Sequence, residues 1–127
     1  MAVNILLVAL GGAMGALARF GTGVLALRVF GGSFPYGTLM VNVLGSFVLG
    51  LLYVMIVQKG LLSEQVRLLL AVGFLGSYTT FSTFALESVL LGESGTIFLA
   101  ALNIIANVSV CLGAMLCAMY LARLLTA

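Results

Sequence analysis

Gly73–Glu87 reads G-F-L-G-S-Y-T-T-F-S-T-F-A-L-E, and the fold turns on it. The stretch lies inside a long apolar segment that would otherwise be an uninterrupted membrane helix. Gly73 and Gly76 precede a run of hydroxyls: Ser77, Tyr78, Thr79, Thr80, Ser82 and Thr83. Glycine and β-branched threonine both weaken a helix. At membrane depth a broken helix survives only where it is buried in protein or lines a wet cavity. One reading is therefore a discontinuous helix whose break binds or passes an ion. The other is a small-residue packing face whose hydroxyls bond back to the preceding turn. These residues alone leave both readings open.

Composition sets the frame around this stretch. The chain has 127 residues, 64% of them hydrophobic and only 6% charged. A soluble domain carries about 25% charged residues, so this chain cannot cover a water-facing surface and is read as an integral membrane protein. At about 20 residues per span it holds four transmembrane helices, expected near 3–29, 38–57, 66–91 and 97–124. Together they form a single four-helix, all-α membrane domain over 1–127, with no room for a soluble one. Cys111 and Cys117 sit six apart on one apolar helix, and no internal disulfide is expected between them. The net charge of +2 is too small to suggest a nucleic-acid partner. With no His and no Asp there is neither a Ser–His–Asp triad nor a histidine metal site, and an enzyme is not expected.

In the first span Gly11 and Gly15 form a small-xxx-small pattern that lets another helix approach closely. Arg19 lies about 24 Å along that span from Val3. It is either a snorkelling anchor or the wall of an electropositive vestibule. The first span lacks a basic leading region and is rich in glycine, so it reads as a retained helix and not a cleaved signal. Gly31–Gly37 is a turn, broken by Pro35 and glycines. The second span carries Asn42 a turn from its start, where an amide must bond another helix or face a wet path. Ser63 before Glu64 and Gln65 predicts the start of the third helix. Beyond the break, Thr80, Thr83 and Glu87 share one face, and Phe81 and Phe84 the adjoining strip. Phenyl rings have positive edges that can meet an anion without a charge, although two phenylalanines can equally be packing. Gly92–Thr96 is a second turn. On the fourth span Asn103, Asn107 and Cys111 line up at i, i+4 and i+8 as a candidate polar track.

Four spans put both termini on one side, with Lys59, Arg67 and Arg123, against Arg28 and Arg19 on the other. Three against two is almost no positive-inside bias. The chain is expected to insert both ways, which permits an antiparallel pair of identical chains.

These residues closely resemble the Fluc (CrcB-type) fluoride channels. The motifs are G-x-x-x-R at Gly15–Arg19, G-T-L-x-V-N at Gly37–Asn42 and G-F-L-G-x-x-T-T-F-S-T-F-x-x-E at Gly73–Glu87. The resemblance covers nearly the whole chain. It implies an antiparallel, dual-topology homodimer in the cell (inner) membrane, with the third helix broken mid-membrane. It implies two pores that pass fluoride ion passively across the lipid bilayer, exporting it and lowering its toxicity in the cytoplasm. It also implies a structural, non-transported Na⁺ held by main-chain carbonyls, which map to Gly76 and Thr79. The pore-lining positions map to Asn42, Phe81 and Phe84, with Ser82 and Thr83 beside the rings, and the vestibule arginine to Arg19. Ser77–Tyr78 departs from the smaller residues of the family pattern. Two competitors are a proton-coupled small multidrug exporter and a non-transporting scaffold subunit. The first needs a carboxylate in the first span, where this sequence has none. The second does not explain Asn42, the break and the asparagine stripe together.

Overall fold

A computed structural model describes residues 1–127. It is entirely helical. Helix α1 runs Ala2–Phe30, and α2 starts at Tyr36 and continues to Gln58. Helix α3 covers 64–78, α4 is Phe81–Glu93 and α5 is Ile97–Leu125. α3 and α4 are two halves of one path, so four helical segments are long and apolar enough to cross a membrane. Only 20 of the 127 residues are buried, and Phe20, Phe81 and Phe98 are each more than 70% exposed. Such a surface needs lipid or another protein around it, not water.

The ends of the helices follow local chemistry. Gly31 takes φ 76°, a left-handed conformation that stops α1, and Pro35 stands at the start of α2. The second span thus begins two residues earlier than Thr38, because Pro35 pre-sets the helical entry. Ser63 caps α3 as its sequence context predicts, its side chain accepting from the Val66 N–H. Gly95, at φ 82°, turns the chain between α4 and α5.

Two stretches are wound more loosely than an α-helix. The end of α2, Val54–Gln58, and the middle of α3, Arg67–Leu75, are π-helical. The second lies against α1 at very short range. A Cβ on Gly11 would stand 2.9 Å from the Phe74 nitrogen and 3.1 Å from the Gly73 Cα. One on Gly73 would stand 2.7 Å from the Val8 carbonyl oxygen. Gly11, Gly15 and Gly73 are the seam along which α1 and α3 touch backbone to backbone. The other broad contact is α2 against α5, where Gly50 lies under Ala118 and Met115.

The α3–α4 path is interrupted at two residues. Thr79 (φ −82°, ψ 158°) and Thr80 (φ −153°, ψ 118°) are extended. The Thr80 hydroxyl then caps α4 by accepting from the Thr83 N–H at 3.2 Å. Gly45 of α2 lets this segment in: a Cβ there would overlap the Thr79 methyl group.

Candidate functional site: two clefts at the helix break

The extended pair exposes main-chain groups that a continuous helix would satisfy. The Thr80 N–H, which an unbroken helix would give to the Gly76 carbonyl, donates instead to Asn42 Oδ1 at 2.8 Å. Asn42 Nδ2 donates to the Thr80 carbonyl at 3.0 Å. The Thr79 N–H and hydroxyl both return to the Leu75 carbonyl. The Thr79 carbonyl receives a long 3.5 Å contact from Arg19 Nη1. Tyr78 lies flat against Phe74 and shares a 3.1 Å hydrogen bond with the Thr22 hydroxyl. α1 therefore grips the break at Arg19 and Thr22, one turn apart.

Two clefts meet at Thr80. The wider one, about 660 Å³, has Arg19, Thr38, Thr83 and Glu87 in its walls. The Thr38 hydroxyl donates to Glu87 Oε1 at 2.8 Å, and the buried Oε2 has no partner. Arg19 and Glu87 share this cleft without pairing, and the only ion pair in the chain is Arg67 with Glu64. The narrower cleft, about 440 Å³, has no charged side chain in its walls. Asn42, Gly76, Thr79, Phe81, Phe84, Asn107 and Cys111 line it. Phe81 and Phe84 meet edge to face, with ring centroids 5.3 Å apart at 63°. Phe84 is buried, whereas Phe81 is 78% exposed.

The fourth-span stripe divides. Asn103 is fully buried, lines neither cleft, and donates to the Ser88 hydroxyl at 2.9 Å. Asn107 is 5% exposed and donates to Asn103 Oδ1, while its own Oδ1 accepts from Asn42. Cys111 is half-buried and opens on the narrow cleft, and both cysteines are free. Ser82 is exposed and belongs to the wall of neither cleft, while Thr83 faces the wide one. Thr38, Ser88 and Thr22 were not singled out by sequence. The signal for two of them was indirect: Glu87 and the Asn103–Asn107 pair each require a polar answer from a neighbouring helix.

A bundle of apolar membrane-crossing segments, with an interrupted third span and polar side chains gathered on that interruption, defines a small multi-pass membrane protein. The family model described as CrcB-like protein, Camphor Resistance (CrcB), matches residues 6–119, and the chain belongs to that family. The fluoride-specific ion channel FluC of Shewanella sp. (strain ANA-3) is 50% identical over 109 residues, which are 86% of this chain and 87% of the relative. Channels of the same name from Shewanella piezotolerans and Shewanella halifaxensis are 49% and 48% identical over the same length and shares of each chain.

Proposed function

We propose that the chain is a fluoride-selective passive ion channel, as its relatives are named. The observation that carries this reading is the narrow cleft: an edge-to-face phenylalanine pair on a path with no charged wall. Fluoride is small and strongly hydrated, so entering a narrow path costs several kcal/mol unless donors replace water. Ring edges of Phe81 and Phe84 offer positive C–H groups without a fixed charge that would trap the ion. Arg19, in the wide cleft, raises the local anion concentration at the mouth. With a negative cell interior, fluoride is driven outward through the cell membrane.

The working unit in this proposal is an antiparallel pair of identical chains, with each break near mid-membrane. The exposed Phe81, the weak charge bias and the small number of buried residues support a second copy against this face. A structural Na⁺ would be held by the Gly76 and Thr79 carbonyls. These donors fit a hard cation: the Gly76 carbonyl has lost its helical N–H, and the Thr79 carbonyl has only the long Arg19 contact. When bound, the ion would supply a fixed positive charge that ties the two breaks together.

Fluoride efflux from liposomes holding the purified protein, read with a fluoride electrode beside a matched chloride run, tests the reading. Rapid fluoride release with little chloride release, and no need for a proton gradient, is the expected result. Assembled protein in Na⁺ that releases no fluoride would return the chain to a scaffold role. Reporter fusions that reveal one fixed orientation would remove the antiparallel pair.

A further inference from the structure

Asn42 is surrounded by more hydrogen-bonding partners than a pore-wall amide needs. Its Oδ1 accepts from the Thr80 N–H at 2.8 Å. Its Nδ2 donates to the Thr80 carbonyl and to Asn107 Oδ1, both at 3.0 Å. A primary amide has two N–H groups, and both are committed. The capacity left over is a lone pair on Oδ1, which repels an anion.

The orientation of this amide is fixed by its neighbours. Asn107 Nδ2 donates to Asn103 Oδ1 at 2.9 Å, so the Asn107 oxygen must face Asn42. Asn103 Nδ2 donates to the Ser88 hydroxyl, which in turn donates to the Phe84 carbonyl at 2.8 Å. Turning over any one of the three amides would set N–H against N–H. The row therefore ends, with a defined polarity, on both main-chain polar groups of Thr80.

We infer that Asn42 is a positioning residue that holds the third span open. It takes the N–H that an unbroken helix would return to Gly76, and it ties down the carbonyl of the same residue. The Gly76 carbonyl stays unclaimed as a result. Glycine and threonine lower the stability of a helix here, but Asn42 gives the broken form its hydrogen bonds. The link to a cation rests on the channel proposal above, whereas the hold on the break does not.

The test separates the two. Thr79–Thr80 is the only Thr–Thr pair in the chain, so threonine-labelled protein in lipid gives an assignable pair of backbone carbon shifts by solid-state NMR. The wild type should report extended conformation at both residues, in Na⁺ and in K⁺ alike. Asn42→Ala should move Thr80 toward helical shifts. Asn42→Asp, which keeps an acceptor for the Thr80 N–H, should retain the extended shifts. Asn107→Ala should retain them as well, since both bonds from Asn42 to Thr80 survive. If Asn42→Ala does not assemble, Asn42→Ser takes its place with the same expectation. Extended shifts that persist in the Ala or Ser variant overturn the inference, all the more if fluoride flux has fallen. In Asn42→Ala the Na⁺ concentration that half-protects the dimer from thermal dissociation should rise about tenfold, because Thr80 competes for the Gly76 carbonyl. A wild-type dimer indifferent to Na⁺ would remove the cation proposal, and the NMR shifts would still decide the role of Asn42.

Discussion

The two clefts touch the same threonine and are built on opposite principles. The wide one gathers Arg19 and Glu87 in a space large enough for water to screen them. The narrow one excludes every charged side chain and presents carbon edges, a thiol and hydrogen-bonded amides. A full charge in the narrow space would bind a counter-ion too well to let it leave. In the proposed channel, attraction and passage fall to different residues, and the break at Thr79–Thr80 stands between the two clefts.

That division can be broken most severely at Gly45. A methyl group there overlaps the Thr79 side chain, so Gly45→Ala should push the break off α2. We expect fluoride efflux no faster than from empty liposomes, with a lowered melting temperature in detergent. Next in size is the narrow cleft itself. Phe84→Ile and Phe81→Ile should each lower fluoride flux about tenfold, the scale of about 1.4 kcal/mol of lost ring-edge interaction, while gel filtration finds the same assembly as for the wild type. Flux unchanged from the wild type in both variants would refute the role of the rings. In the wide cleft Arg19→Gln should lower flux roughly threefold at low ionic strength, and the deficit should shrink as salt screens the guanidinium. A salt-independent loss would mean that Arg19 acts through its contact with Thr79 and not through its field. Outside both clefts, Arg67→Gln removes the exposed pair with Glu64 and should leave flux and melting temperature unchanged.

Much of this architecture is legible in the residues, because hydropathy alone lays out apolar segments of membrane length. The interruption is legible as one of two readings: glycines ahead of a threonine pair weaken a helix, but the same small residues can form a packing face, and the extended Thr79–Thr80 pair decides between them. Ser63 announced the start of α3, and Pro35 with Gly31 announced the first turn. The π-helical winding at Arg67–Leu75 was not legible. Bonding to the fifth residue instead of the fourth leaves no mark on composition, and here it accompanies the close approach of Gly11 and Gly15. The asparagine stripe was visible as a line on α5, but its meaning depended on partners. Asn103 spends its amide on Ser88 inside the bundle and lines neither cleft, Asn107 reaches the narrow cleft with its amide committed to Asn103, and Cys111 opens on the same cleft. Likewise Arg19 could be an anchor or a vestibule wall by position, and its approach to the Thr79 carbonyl required the fold.

The row from Asn42 through Asn107 and Asn103 to Ser88 has a further property. A chain of hydroxyls or waters can hand a proton from one end to the other by exchanging bonds. Carboxamides accept and donate hydrogen bonds, but they have no titratable proton to pass on near neutral pH. A polar seam inside the bundle, built mainly from amides, therefore joins the helices without offering protons a relay.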